Sequence, residues 1–227
     1  MTKQNKKTIQ VTSNLVGEEN IWYIWIWLFI LDSLFKTYYK KTYFTKGADK
    51  ITLNFTLQYS RFSMFEVIWD SIAIDSSYNA APESMKKVID NFLLTSNNVF
   101  PDYEVILCLW EMRELWDYTK DEHEKLVEYT RKITDKIFIV WNSMKEYFLP
   151  KNGNAKYFKN SKLLWTYLKD FLQNTDKKYL ILFKGSQNTI FMEEALKQIL
   201  KHKSDETNIC RQEKFWLEKK NTFFNEK

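Results

Sequence analysis

Ile74-Asp75-Ser76-Ser77-Tyr78-Asn79-Ala80-Ala81-Pro82-Glu83-Ser84-Met85 is the stretch on which the fold reading turns. It starts at the end of an apolar run, Val67 to Ile74, continues as a polar loop, and closes on a proline of the kind that opens a helix. Beyond it Met85, Val88, Ile89 and Phe92 share one face, so Pro82 to Leu94 reads as a helix. Glu104 to Leu109, Lys136 to Val140 and Tyr179 to Phe183 are further apolar runs of strand length. Helical spacing marks Lys120 to Ile133, Ser161 to Leu172, a segment from about Ile190 to Leu200 and one from about Cys210 to Lys219. Strands alternating with helices predict an α/β fold, a Rossmann-like and mainly parallel sheet with helices on both faces.

Upstream the pattern differs. Ile21 to Phe35 is almost wholly apolar until Asp32, yet it is shorter than the roughly 20 residues a membrane span needs. Glu18 and Glu19 precede it and no small-residue cleavage site follows, which argues against a signal peptide and for a buried helix. Ile51, Leu53, Phe55 and Leu57 alternate with polar residues as in a half-buried strand. The net charge of +5 comes from lysines spread along the chain, not from the clustered footprint that nucleic-acid binding requires. The two cysteines, Cys108 and Cys210, form no CxxC pair, so neither a disulfide framework nor a zinc site is expected, and a reduced, cytoplasmic setting fits.

Ligands of such sheets bind beyond the carboxyl ends of the strands, where three segments carry chemistry. In the first, Asp75 can accept two ribose hydroxyls and Asn79 can donate and accept; helix capping and turn formation explain the same residues equally well. The second runs from Val105 to Trp116 and is followed by His123, a candidate base for which a structural role at a helix start is the stronger reading. The third is Leu182-Phe183-Lys184-Gly185-Ser186-Gln187, with a lysine at a strand end beside a glycine that permits a tight turn.

The letters of these segments resemble the C-terminal part of the Mur ligase family, in its D-alanyl-D-alanine-adding branch. Asp75 to Met85 is similar to a D-S-Y-N-A-x-P-x-S-M signature. Glu111, Met112, Glu114, Leu115 and His123 are similar to a G-D-M-x-E-L-G segment with a following histidine, and Lys184-Gly185-Ser186 matches a K-G-S. Tyr59-Ser60-Arg61-Phe62-Ser63 resembles a P-P-G-R-M hinge, and Asn14 to Asn20 a segment that starts a late helix of the central ATPase domain. The resemblance implies residues 1–57 as an incomplete remnant of that central domain, 58–66 as the hinge and 67–227 as the C-terminal domain. It further implies Arg61, Asp75 and Asn79 at the nucleotide, and Lys184 and Ser186 near the incoming carboxylate and acyl phosphate, with Lys184 catalytic.

The complete enzyme would use ATP and Mg²⁺ to join D-Ala-D-Ala to a UDP-muramoyl tripeptide, in peptidoglycan synthesis. This sequence holds no G-x-x-G-K-[ST] phosphate loop. Alone it is therefore expected to bind no cofactor or metal and to be inactive, a truncated or split product needing the missing N-terminal and central domains. Two alternatives stay open: a non-catalytic Mur-ligase-like binding module or degenerate paralogue, and a protein anchored to a membrane by residues 21–35.

Glycine occurs four times and tryptophan nine, where average usage would give roughly 16 glycines. Trp110, Trp116 and Trp141 stand where the family resemblance puts glycine. Some bacteria read UGA as glycine while another code reads it as tryptophan, so these three are expected to be glycines in the cell. Trp22, Trp25, Trp27 and Trp69 are weaker candidates, and Trp216, in an amphipathic segment, is expected to be genuine.

Overall fold

Near-continuous apolar runs flanked by helices demand a sheet covered on both faces, and the computed structural model has one. It describes residues 10–13, 19–40, 50–53, 59–185 and 191–225. The chain divides into two compact units, 1–56 and 57–227.

The second unit holds a six-stranded sheet. Its strands are β3 (Ser63–Val67), β4 (Ser71–Ser76), β5 (Glu104–Trp110), β6 (Ile137–Val140), β7 (Lys156–Phe158) and β8 (Tyr179–Lys184), in spatial order β3-β4-β8-β5-β6-β7. Only the β3–β4 pair is antiparallel. Because successive side chains of a strand point to opposite faces, each strand feeds two cores. Ile106, Cys108, Ile181 and Phe183 meet Leu164, Leu168 and Leu172 of α4 (Ser161–Gln173) and Ala195 and Leu196 of α5 (Glu193–Lys197). Leu107, Leu109, Leu180 and Leu182 meet Met85, Ile89 and Phe92 of α2 (Pro82–Val99) and Leu126 and Val127 of α3 (Thr119–Thr130). A final helix, α6 (Lys214–Asn225), closes the unit.

Several expectations are revised. The run Val67 to Ile74 is not one strand but a hairpin, broken at Trp69 and Asp70, whose φ angles of 56° and 51° turn the chain. The β7 edge strand was not anticipated; at three residues it is too short to show a pattern. The last helix begins at Lys214 rather than Cys210, because Arg211 has a φ of 60° and cannot continue a right-handed helix. In α5 only Glu193–Lys197 is helical, and residues 186–190 lie outside the described part.

The first unit contains β1 (Gln10–Ser13), α1 (Glu19–Tyr39) and β2 (Lys50–Leu53), with β1 and β2 paired in parallel. The expectation of a buried α1 is wrong on burial: Trp22, Trp25 and Phe29 are 73%, 64% and 74% exposed, and of its large apolar side chains Leu28 is buried. Among the described residues no helix is long and apolar enough to cross a membrane.

Limited proteolysis is expected to cut first near the boundary at residues 56 and 57 and to leave a resistant fragment carrying 59–225. Preferential early cutting within β4 to β8, read by mass spectrometry of the fragments, would contradict this division.

Candidate functional site

The parallel register brings distant segments into one row. Ser76 at the end of β4 lies opposite Lys184 on β8, and Lys184 opposite Leu109 on β5. The loops that leave these strands therefore share one edge of the sheet, although Ser76 and Lys184 are 108 residues apart.

Asp75 is fully buried. One carboxylate oxygen accepts the Ser60 hydroxyl at 2.5 Å and the other accepts the Ser77 amide at 3.0 Å. Ser60 in turn accepts the Cys210 amide at 3.2 Å. Burial raises the Asp75 pKa; the hydrogen bonds from Ser60 and Ser77 and the nearby Arg211 oppose that rise without cancelling it. Asn79 is exposed, and its side-chain oxygen accepts the amide of Ala80 at 2.7 Å, which shapes the turn ahead of Pro82.

Lys184 is also buried, only 2% exposed. Its ammonium donates to the carbonyl of Ser76 at 3.4 Å and to that of Asn79. Desolvation lowers its pKa to about 8, with Arg61 adding to the fall and Asp75 opposing it. Gly185 permits this close approach: a Cβ there would lie 3.2 Å from the Met192 Cβ and 3.4 Å from the Ser77 carbonyl oxygen. Arg61 is exposed and its guanidinium lies 4.7 Å from the Tyr78 ring centroid. Arg61, Asp75, Asn79 and Lys184 thus gather around one loop; Ser186 lies outside the described residues.

Sequence reasoning assigned no role to Ser60, Tyr78 or Arg211. Ser60 is the hidden centre of the loop contacts, and Arg211 reaches the Tyr78 carbonyl at 3.5 Å. Nothing in the local pattern signals either, since both contacts span more than one hundred residues.

The loop after β5 is braced differently. His123 is fully buried; its Nε2 accepts the Met112 amide at 3.1 Å and its Nδ1 lies 2.6 Å from the Thr119 carbonyl. We assign the proton to Nδ1, since that nitrogen faces an acceptor. Both ring nitrogens are then occupied, which makes His123 a structural tie between the loop and α3. Glu111 accepts from Arg113 at 2.8 Å and from the Ser143 amide at 3.3 Å, linking this loop to the one after β6. A groove of about 390 Å³ lies between α2 and α3, lined by Pro82, Met85, Met112, Leu126 and Tyr129, and it contains none of the predicted site residues.

No protein-family model and no curated protein matches this sequence. Solved structures do match. MurF from Acinetobacter baumannii is 21% identical, covers 72% of this chain and 34% of its own, and superposes with a TM-score of 0.53. MurF ligase from Thermotoga maritima, in complex with ADP, is 20% identical, covers 73% of this chain and 35% of its own, with a TM-score of 0.51. The likeness is one of fold, and the chain spans about a third of the length of the structures it matches.

Burial disfavours the imidazolium of His123 and sets its pKa below the ordinary 6.5. Because the folded pKa is the lower one, the stability His123 confers is complete above pH 6.5 and is lost as pH falls from 6.5 through the folded value. The stability difference between the protein and His123→Gln should therefore be flat above that window. Within it, denaturant unfolding at several pH values should show it shrinking by at most about 1.4 kcal/mol per pH unit.

Proposed function

We propose that this chain is the closing, C-terminal part of a Mur ligase that adds D-alanyl-D-alanine to a UDP-muramoyl tripeptide in the cytoplasm. In this reading residues 1–57 are the tail of the central ATP-using domain, 58–66 the hinge and 67–227 the C-terminal domain. The observation that carries it is the meeting of the Asp75–Asn79 loop with Lys184 across neighbouring parallel strands, in a fold shared with MurF structures.

The roles follow from exposure and charge. Arg61 and Asn79 stand at the surface and are the groups that would meet a nucleotide. Asp75 serves that site from beneath, because its buried carboxylate fixes the loop through Ser60 and Ser77. Lys184 has a flexible four-carbon stem, and among the described residues its ammonium donates to carbonyls, so an arriving carboxylate or acyl phosphate offers it a stronger partner. Ser186, next to the turn at Gly185, is assigned to the same substrate.

The phosphates and Mg²⁺ of ATP do not fit this chain. None of its four glycines is followed by lysine, and among the described residues no three His, Cys, Asp or Glu side chains gather as metal ligands. Phosphoryl transfer depends on a phosphate-cradling loop, a lysine and Mg²⁺, so we route no such step through these residues. They belong to further sequence, joined to this chain or separate from it. A non-catalytic Mur-like module is the competing reading, favoured by the bulky tryptophans in the loops after β5 and β6.

The isolated chain is expected neither to hydrolyse ATP nor to ligate. Supplied with a Mur ligase N-terminal and central portion, it should release ADP in a D-Ala-D-Ala-dependent manner, and Lys184→Ala should lower that turnover more than tenfold, or about 1.4 kcal/mol. Ligation by the chain alone, or no release once complemented, would remove the reading; an unchanged rate in Lys184→Ala would remove only that residue's role.

A further inference from the structure

Four charged side chains are buried together where α6 meets α5. Lys220 of α6 is 3% exposed, and its ammonium lies 2.7 Å from Glu194, 3.1 Å from Glu193 and 2.7 Å from the Arg211 carbonyl oxygen. Arg211 is 7% exposed; its guanidinium sits 3.4 Å from Glu193, donates to Cys210 Sγ at 3.1 Å, and reaches the Tyr78 carbonyl. Stability alone does not explain this arrangement, since replacing buried ion pairs by apolar residues is often neutral or stabilising. The contacts do explain it: they run unbroken from Lys220 through Arg211 to Tyr78, and through Cys210 and Ser60 to Asp75.

We propose that Lys220 and Glu193 are positioning residues, which hold the Cys210–Arg211 segment in its left-handed turn so that Arg211 and Cys210 set the Ser76–Asn79 loop. The proposal stands on this geometry and not on the ligase reading. In Lys220→Met and Glu193→Gln, amide hydrogen exchange at Ser77, Tyr78 and Cys210 should rise at least tenfold, while exchange in the central strands β5 and β8 stays within twofold. Lys220→Arg, which keeps the cation, should restore protection at the loop. A uniform rise across the sheet, no rise at the loop, or a Lys220→Arg that behaves like Lys220→Met would each overturn it.

A separate observation concerns the tryptophans. Positive φ is found in a few per cent of non-glycine residues and is an outlier for bulky ones. Ten described non-glycine residues have it, and three of them are Trp69, Trp116 and Trp141, at 56°, 50° and 85°. The last lies beyond the usual left-handed region, where a side chain is poorly tolerated. Trp116 gains nothing in return, being 85% exposed. Trp110 differs: its backbone makes no such demand, although its indole is fully buried with an unpaired N–H. Trp216 sits within regular helix, 5.9 Å from the Arg211 guanidinium.

The backbone points to glycine at 69, 116 and 141 in the protein as its own cells make it; on conformation alone it promotes the weaker candidate Trp69 and gives no support at Trp110. Peptide mass spectrometry of the protein purified from cells that carry the gene naturally should find glycine at these three positions and tryptophan at 216. Tryptophan at all three would overturn the inference. In protein made with tryptophan, the double variant Trp69→Gly, Trp116→Gly should raise the thermal unfolding midpoint; a lower midpoint would count against it equally.

Discussion

The buried carboxylate of Asp75 is the contact on which the sheet edge depends. A carboxylate removed from water must be met by donors, and the donors it finds come from the segment before β3 and from its own loop. The Ser60 hydroxyl that donates to it accepts the Cys210 amide in turn, so the segment before α6 is tied in as well. One side chain thereby fixes its own loop, the segment before β3 and, through Ser60, a segment 150 residues further along the chain. Lys184 completes the arrangement from β8, donating to the carbonyls of Ser76 and Asn79. Its lowered pKa and the raised one of Asp75 share a cause, the exclusion of water from this corner.

The fold was legible where periodicity is long. Helices α2, α3 and α4 and strands β5, β6 and β8 emerge from apolar spacing within a few residues of their observed ends. What failed was local and sterically special. The hairpin at Trp69 and Asp70 lacks the Asn-Gly or Asp-Gly pair that marks such turns, and Arg211, with its positive φ, delays the start of the last helix. At the candidate site, the letters single out Arg61, Asp75, Asn79 and Lys184 but not what these side chains touch. That Asp75 faces inward, and that Ser60 and Arg211 meet its loop, depends on register and long-range packing that no window of sequence contains.

The two units differ in how their apolar side chains are covered. In the second, both faces of the sheet are covered and the apolar alternation is satisfied. Among the described residues of the first, a parallel pair of strands is accompanied by one helix whose aromatic residues lie largely in solvent.

The strand order has a consequence for how the protein is made. β8 is the last strand in sequence among the described residues but lies between β4 and β5, which do not pair with each other. Until the ribosome has released residue 184, the growing chain holds two strands whose facing edges have no partner. Such edges invite pairing with other chains, and contacts that close over one hundred residues form slowly. The nascent chain must therefore keep these two edges unjoined until β8 has emerged to fill the space between them.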